Sequence, residues 1–294
     1  MERPLRSWMF VPGNSRKFLD KALGGRVGVD AVFLDLEDGV PFPLKAEARR
    51  CVAAAVDTAT DGPLRFVRVN AVTTDEFALD IETALTPRIA GICVPKVERP
   101  EEVMQVAALV ANAEARMGVP DGTIRIVAAI ESAAALILAP AIAAAHPRLL
   151  GLMFGTEDYA LDLGLGAQRE GEARDLIYSR SAIVVAAASA RILSIDGVFP
   201  NLDDPAGLER DILQSRRLGF DAKSTFNPRQ VKLINQIFSP RPDELEYARK
   251  VVDAFDEAQA RGDGSIAVGG QLVDLPIVLR ARRILELERQ SVGS

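Results

Sequence analysis

The chain has 294 residues, 48% hydrophobic content, a net charge of −6 and a pI near 5.1. This length and apolar content suit a single α/β barrel, which typically takes ~250 residues. Because Lys and Arg are interspersed with acids, the sequence excludes a broad basic surface for nucleic acid but allows a small anionic substrate. No long uncharged apolar run predicts a membrane span. Two isolated cysteines, Cys51 and Cys93, indicate buried thiols in a reducing cytoplasm.

Short apolar runs alternate with helical patterns through most of the chain. In order, the runs are SWMFVPG, DAVFLDLED, LRFVRVN, GICVPKV, IRIVAAIE, LLGLMFG, SIDGVFP and FDAKSTF. Their continuous hydrophobicity is typical of parallel strands covered on both faces, and the segments between them repeat with a helical period. The pattern predicts a (β/α)₈ TIM barrel over residues 1–238. A doubly wound dinucleotide-binding sheet is less favoured, because no GxGxxG follows the first strand.

A different pattern begins after Phe238. SPRPDELEYARKVVDAFDEAQA predicts an amphipathic helix, the Gly-rich RGDGSIAVGGQ predicts a mobile loop, and LPIVLRARRILELER predicts a second helix. Residues 239–294 are therefore expected to form a helix-loop-helix extension. It fits a lid, an arm that reaches a neighbouring subunit, or a plain surface tail.

The first strand ends in a turn that carries two cations. Asn14, Arg16 and Lys17 lie where this turn opens a helix. Backbone N–H groups and basic side chains in such a turn can hold phosphates. An ordinary helix start is the alternative interpretation.

Charged residues also close the next strands. Asp35, Glu37 and Asp38 follow the second run, Arg68 closes the third and Lys96 closes the fourth. Buried carboxylates so close together need cations nearby. Arg68 could bridge to them, or it could grip a substrate carboxylate or carbonyl oxygen at the barrel mouth, and the two roles are compatible.

Glu131 and Asp158 follow the fifth and sixth runs, so both are expected at the carboxyl-end rim where barrel enzymes place their chemistry. Two carboxylates there fit a hard divalent cation such as Mg²⁺, and they fit a salt-bridge network equally well. Glu157 competes with Asp158 as a ligand. The sole histidine, His146, precedes a strand, which argues against histidine-based catalysis or a zinc site. Further polar residues near the last two strands are Asp196, Lys223 and Asn227.

Eight segments in register resemble one known family. They are RSWMFVPGNSRKF, DAVFLDLEDGV, KAEAR, FVRVNA, GICVPKVE, AAIESAAAL, FGTEDYALDLG and GFDAKSTFNPRQV. The chain resembles the citrate lyase β-subunit-like (CitE-like) group of the HpcH/HpaI aldolase superfamily, which includes malyl-CoA and citramalyl-CoA lyases. The similarity extends from about Arg6 to the C-terminal helix.

The resemblance implies a (β/α)₈ barrel enzyme with Mg²⁺ held by Glu131 and Asp158, which leaves Glu157 as a neighbour of the ligands. Arg68 matches the family arginine that binds the 2-oxo acid and polarises its oxygen. The implied activity is a Mg²⁺-dependent oxo-acid lyase that cleaves a β-hydroxyacyl thioester into acetyl-CoA and a 2-oxo acid. Malyl-CoA-type thioesterase activity, and a β-subunit role in a citrate lyase complex acting on an acyl-carrier-protein thioester, stay open as alternatives.

The same resemblance assigns roles away from the metal pair. Asn14, Arg16 and Lys17 match positions that contact the CoA phosphates in relatives. Asp274, in GGQLVDLP, matches an aspartate that comes from the adjacent subunit and serves in acid/base chemistry, which implies a homotrimer or hexamer. One position departs from the family, because Asn227 replaces the histidine of a frequent Ile-His-Pro turn and cannot titrate near neutral pH. That departure leaves the identity of the acyl group open.

Overall fold

The computed structural model describes residues 4–59, 61–166, 173–260 and 266–292. The chain divides into two compact units, one comprising Leu5–Asn235 and the other beginning at Gln236. The predicted boundary at residue 238 is retained as a prediction.

The first unit contains eight parallel strands that close into a barrel in chain order, with β1 paired to both β2 and β8. The strands are β1 Ser7–Pro12, β2 Ala31–Asp35, β3 Leu64–Arg68, β4 Gly91–Val94, β5 Arg125–Ile130, β6 Leu149–Phe154, β7 Leu193–Asp196 and β8 Ala222–Thr225. Each lies within or beside one of the eight predicted apolar runs. The predicted (β/α)₈ fold is therefore confirmed.

Helices connect the strands and cover the barrel. They are α1 Arg16–Leu23, α2 Lys45–Thr58, α3 Asp75–Thr83, α4 Pro100–Met117, α5 Ala133–Ala143, α6 Thr156–Asp162, α7 Ile177–Ala190, α8 Pro205–Leu218 and α9 Pro228–Phe238. Short 3₁₀ turns at Phe42–Leu44 and Arg174–Leu176 precede α2 and α7.

Aromatic side chains fill one part of the barrel interior. Trp8 stacks on Phe33 with ring centroids 4.9 Å apart and meets Phe66 edge-on at 4.8 Å. Alternate strand residues point to the same side, so the inward positions of β2 and β3 continue from Phe33 and Phe66 to Asp35 and Arg68. The apolar interior thus gives way to charged side chains at the carboxyl end of the strands.

The second unit contains α10 Pro242–Ala260, β9 Ile266–Val268, β10 Gln271–Val273 and α11 Leu275–Val292. Its core includes Val251, Phe255, Val273 and Val278. Both predicted helices are present.

The predicted mobile loop RGDGSIAVGGQ is wrong for its second half, whereas its first residues, 261–265, lie outside the described residues. Residues 266–273 form an antiparallel hairpin, β9 with β10. Gly269 and Gly270 both have positive φ, 57° and 78°, as the commonest two-residue hairpin turn requires. Because each strand has only three residues, sequence periodicity could not reveal them.

Both cysteines are free thiols, with Cys93 buried in β4 and Cys51 half-buried on α2. Within the described part of the chain, no helix has the length and apolar character needed to cross a membrane.

Candidate functional site

The site is built at the carboxyl ends of β2 to β6, beginning with a buried ion pair between adjacent strands. Asp35 and Arg68 are register partners. Arg68 donates from Nε to Asp35 Oδ1 at 2.8 Å and from Nη2 to Asp35 Oδ2 at 2.7 Å. Asp35 also accepts the backbone N–H groups of Glu37 and Gly39, at 2.9 and 3.0 Å. The carboxylate is thus fully used in fixing Arg68 and the turn after β2.

Arg68 retains donors for a further partner. Its Nη1 lies 3.0 Å from Glu37 Oε2, and its guanidinium carbon lies 4.7 Å from the centre of the Phe10 ring. Two of the five guanidinium N–H groups donate to Asp35 and Nη1 forms an ion pair with Glu37, so Nη1 and Nη2 each carry an N–H group beyond these contacts. Burial alone would lower the pKa of Arg68, but the Asp35 and Glu37 carboxylates raise it, so the group stays charged. The structural bridge foreseen for Arg68 is present, and it leaves two N–H groups for a ligand.

Lys96 connects the strand 2 carboxylates to Glu131. Its Nζ lies 2.8 Å from Glu37 Oε1 and 3.4 Å from Asp38 Oδ2, while its backbone N–H donates to Glu131 Oε2 at 3.1 Å. The backbone of Lys96 has φ of 54°, a left-handed conformation that is uncommon for residues other than glycine. Such strain persists only where surrounding contacts hold it, as the two ends of Lys96 do here.

Glu131 is the most perturbed carboxyl at the mouth. It is 6% exposed, and its pKa is raised to about 8, first by burial and then by the negative charges of Glu37 and Asp158. Asp158, half-buried in the first turn of α6, is therefore close enough to repel it, whereas Glu157 beside it is exposed. The geometry brings together Arg68, Glu131 and Asp158 and favours Asp158 over Glu157 as the partner of Glu131.

Gly155 allows the Glu131 side chain to lie close to the start of α6. A Cβ atom at this position would fall 2.4 Å from Glu131 Cγ and 2.8 Å from Glu131 Oε1. The Gly155 N–H donates to Ile130 O at 3.0 Å, which ties the start of α6 to the end of β5. The missing side chain thus leaves room for the Glu131 carboxylate beside the start of α6.

The donor set fits a hard divalent cation. Among the described residues, five carboxylates lie at the mouth, and the cations that face them are Arg68 and Lys96, while Lys45 bonds the backbone of the turn after β2. The five are Asp35, Glu37, Asp38, Glu131 and Asp158. Among the described residues, no three His, Cys, Asp or Glu side chains are arranged as a complete metal cage. Mg²⁺ commonly takes one or two carboxylates and fills its other positions with water and substrate oxygens. Glu131 and Asp158 are the two residues that would hold it.

The predicted phosphate-contacting residues lie at the end of β1. Arg16 and Lys17 are exposed in the first turn of α1, and Asn14 is half-buried just before it. Arg16 donates to Asp20 Oδ1 at 2.8 Å, an exposed pair that is weak in water. Asp274 belongs to the second unit, where it is exposed immediately before α11. The ligand roles of all four stay predictions.

Three polar residues near the last strands have structural contacts. Asp196 and Lys223 point away from the barrel interior and form a buried cluster with Arg180 of α7 and Asp211 of α8. Asn227 accepts the Arg229 N–H at 3.0 Å through Oδ1, which stabilises the first turn of α9. Asn227 therefore acts as a helix-start residue, consistent with its inability to move protons.

The catalytic and ligand residues predicted from the sequence did not include Glu37, Lys96 or Lys45. Lys45 Nζ donates to the backbone carbonyls of Leu36 and Glu37, at 2.8 and 3.0 Å, and so holds the turn that bears Glu37. The density of carboxylates after β2 was the available signal for Glu37. Lys45 lies nine residues after Leu36 on α2, and nothing in its spacing predicted that contact.

Comparison with known proteins shows the family of this chain. The family model for HpcH/HpaI aldolase/citrate lyase matches residues 6–228. Citrate lyase subunit beta of Leuconostoc mesenteroides subsp. cremoris is 38% identical over 287 residues, covering 97% of this chain and 94% of that protein. A (3S)-malyl-CoA thioesterase of Cereibacter sphaeroides is 36% identical over 284 residues, covering 96% and 94%.

Among solved structures, the CitE protein of Mycobacterium tuberculosis in complex with magnesium, acetoacetate and coenzyme A superposes with a TM-score of 0.78. It is 28% identical and covers 100% of both chains. Fold and rim chemistry thus define a (β/α)₈ barrel protein with a carboxylate-rich mouth. More specifically, the chain belongs to the HpcH/HpaI aldolase/citrate lyase family.

Proposed function

We propose that this protein is a Mg²⁺-dependent carbon–carbon lyase acting on a β-hydroxyacyl thioester of the malyl-CoA, citramalyl-CoA or citryl-CoA type. The observation that carries the proposal is the excess of carboxylates around Glu131 and Asp158, beside an arginine with two N–H groups still available. The magnesium-bound relative adds support, since its described complex contains acetoacetate and coenzyme A. A 2-oxo acid and a CoA thioester are the proposed small-molecule partners.

Arg68 is the proposed electrophilic residue. Its two remaining N–H groups would bind the substrate oxygen that changes from hydroxyl to ketone, and its fixed position on Phe10, Asp35 and Glu37 would avoid reorganisation during the reaction. Mg²⁺ held by Glu131 and Asp158 would supply Lewis-acid stabilisation to the oxygens of the 2-oxo acid. The roles of the two groups are complementary, because both favour negative charge on the same fragment.

The remaining roles concern the thioester fragment. The hydroxyl proton would leave to water as that oxygen becomes the ketone, and the electron pair of the carbon–carbon bond would pass to the acetyl thioester as an enolate. Asp274 of an adjacent copy, protonated from water, would give its proton to the enolate carbon to form acetyl-CoA, so one proton is lost and one is gained. Asn14, Arg16 and Lys17 would bind the CoA phosphates at the start of α1, where two of the three are exposed. We further propose a homo-oligomer, a trimer or hexamer, in the cytoplasm.

Two other activities have specific support. The 36% identical thioesterase favours hydrolysis of malyl-CoA to malate and CoA by the same site. The 38% identical citrate lyase subunit favours a β-subunit role on a citryl thioester of an acyl-carrier protein. Both activities would use the same carboxylates as the lyase, so the products must distinguish the three reactions.

Product analysis separates all three. Purified protein would be incubated with Mg²⁺ and a series of acyl-CoA thioesters, with 2-oxo acid, acetyl-CoA, free CoA and hydroxy acid measured together. The lyase predicts equal amounts of acetyl-CoA and 2-oxo acid; free CoA with malate would instead identify a thioesterase. Activity on an acyl-carrier-protein thioester alone would identify the subunit role.

Asp158→Ala tests the site itself. The variant should lose Mg²⁺-dependent turnover, whereas Glu157→Ala, at the exposed adjacent position, should retain it. Wild-type turnover by the Asp158 variant would refute the assignment of this residue.

A further inference from the structure

Phe226 lies at the mouth of the barrel and has no role in the proposed reaction. It follows β8 directly, and its side chain is 58% exposed. Ala222 of β8 belongs to the apolar barrel interior, and Phe226 lies further along the chain at an alternate position, which points to the same side of the sheet. Its ring accordingly lies 5.1 Å from the ring of Phe10, a residue of the barrel interior. Phe226 thus faces the mouth, not the outer helices.

Phe10 connects Phe226 to the arginine of the candidate site. The ring of Phe10 contacts the Phe226 ring at an angle of 37°, and the guanidinium carbon of Arg68 lies 4.7 Å from the centre of the same Phe10 ring. Phe10 itself is buried, so Phe226 is the member of this stack that offers an aromatic face to a ligand. A small molecule bound to the N–H groups of Arg68 would therefore lie close to Phe226.

The turn that carries Phe226 is fixed on its carboxyl side by hydrogen bonds. The Asn227 N–H donates to Thr225 Oγ1 at 3.0 Å, across Phe226. Asn227 in turn accepts the Arg229 N–H through Oδ1 and the Gln230 N–H through its carbonyl oxygen, both at 3.0 Å. The ring is thus presented from a held backbone, which lowers the entropy cost of binding against it.

The mouth is therefore divided into two chemical sides. The ends of β3 to β5 carry charged groups, among them Arg68, Lys96 and Glu131, whereas the ends of the paired strands β1 and β8 carry Phe10 and Phe226. A single exposed apolar side chain on a protein surface normally needs no explanation. Phe226 differs because it lies on the rim where barrel enzymes bind their substrates, one ring away from Arg68.

We propose that Phe226 determines the specificity for the 2-oxo acid, and that it selects an apolar substituent on the carbonyl carbon. This rests on the proposed function, in which Arg68 and Mg²⁺ bind the carbonyl oxygen and the carboxylate. The substituent on the carbonyl carbon is the part of the 2-oxo acid that those groups leave unbound, and the aromatic side of the mouth is the surface suited to an apolar one.

The chemistry of the ring decides which substituents fit. A methyl or ethyl group would cover the exposed face of Phe226 and remove apolar surface from water. A carboxymethyl group, as in oxaloacetate, would bring an anion towards the negative face of an aromatic ring, in a mouth that already contains five carboxylates. Pyruvate and 2-oxobutyrate are therefore the favoured class, and the matching thioesters are of the citramalyl-CoA type, not the citryl-CoA type.

Binding of 2-oxo acids tests this role without any cleavage. Isothermal titration calorimetry with Mg²⁺ would measure the Kd of pyruvate, 2-oxobutyrate and oxaloacetate for the wild type, Phe226→Ala and Leu79→Ala. The last variant is the control, an exposed leucine on the outer helix α3. The wild type should bind 2-oxobutyrate at least ~10-fold more tightly than oxaloacetate, and Phe226→Ala should lose most of that ratio. Leu79→Ala should keep it.

Phe226→Arg separates specificity from a structural role. A guanidinium at this position would pair with the second carboxylate of oxaloacetate, so the order of the two acids should reverse. A residue that only supported the turn would instead weaken all three acids by the same factor when it is replaced. The ratio of two Kd values is informative here, because any change in Mg²⁺ affinity or in the folded fraction cancels from it.

Equal ratios in the wild type and Phe226→Ala would overturn the proposal, as would a wild type that binds oxaloacetate more tightly or binds none of the three acids. If Phe226→Ala does not fold, the order of the acids on the wild type and on Phe226→Arg decides. The proposed function fails separately. Binding in the expected order without cleavage of any thioester would refute the lyase and leave the role of Phe226 standing. Cleavage of citramalyl-CoA and citryl-CoA at a ratio of kcat/KM that Phe226→Ala does not change would keep the lyase and refute the role.

Discussion

Two buried charge networks in the same barrel differ in their balance of charge. Between the strands and the outer helices, Arg180 and Lys223 meet Asp196 and Asp211, which makes two cations and two anions among the described residues. At the mouth, two cations meet five carboxylates. Burial opposes ionisation in both places.

The pKa values record this difference. Burial raises the pKa of Asp196, but Lys223 and Arg180 outweigh it and bring the pKa below its usual value. At the mouth, burial and neighbouring carboxylates bring the pKa of Glu131 to about 8, and burial also raises the pKa of Glu37 despite Arg68 and Lys96. Balanced networks serve the fold, whereas an unbalanced one is suited to receive a cation and a substrate.

Glu131→Gln should have the largest effect on activity and little effect on stability. The amide cannot act as an anionic metal ligand, so kcat/KM should fall at least ~1,000-fold, about 4 kcal/mol of transition-state stabilisation. The free energy of unfolding should not fall by more than about 1 kcal/mol, because the change removes a carboxyl that its neighbours repel. Steady-state kinetics and urea unfolding measure the two quantities.

The matched control is Glu101→Gln, on the exposed first turn of α4, which should change neither quantity. Normal Mg²⁺-dependent kinetics in the Glu131 variant would contradict the view that the mouth network serves activity and the outer network serves the fold.

Lys223→Met should show the opposite pattern. The change removes the Lys223 cation from buried Asp196 and Asp211 and leaves Arg180 as their remaining cation in the described cluster, so we expect a loss of roughly 3–5 kcal/mol in the free energy of unfolding. The folded fraction should retain Mg²⁺-dependent turnover, because the lysine points away from the mouth. Urea unfolding with active-site titration of the remaining folded protein measures both.

Lys232→Met on α9 is the control, since an exposed lysine should change stability by less than about 0.5 kcal/mol. A Lys223 variant as stable as the wild type would show that the outer cluster does not support the fold.

The barrel could be predicted from sequence because continuous apolar runs and helical periods report burial directly. Asp35, Arg68, Glu131 and Asp158 could also be placed at the rim, since each follows a strand. The orientation of a strand-end side chain was harder to predict: Asp196 and Lys223 have the same sequence context as Arg68 but face outward, because a shift of one residue reverses the side. The contacts of Lys96 depend on a left-handed backbone conformation that no sequence pattern predicts.

Gly155→Ala should affect the mouth moderately. The added methyl would fall 2.4 Å from Glu131 Cγ, so the Glu131 side chain must shift from its position at the mouth. We expect kcat/KM to fall roughly 10- to 100-fold and the free energy of unfolding to fall by about 1–3 kcal/mol. Gly166→Ala is the control, because a Cβ there meets no atom within 4 Å. Equal kinetics in the two variants would mean that the close approach of the carboxylates has no function.

The smallest effect concerns acid stability. Because Lys223 and Arg180 lower the pKa of Asp196 in the folded state despite burial, this carboxylate stabilises the fold above its unfolded pKa of about 4. The contribution is lost as pH falls from there through the folded pKa, at no more than about 1.4 kcal/mol per pH unit for one proton. Urea unfolding from pH 5 to pH 2 should therefore be less steep in pH for Asp196→Asn, which has no carboxyl to protonate, than for the wild type. If the two slopes are equal, Asp196 is not the group that links the outer cluster to acid unfolding.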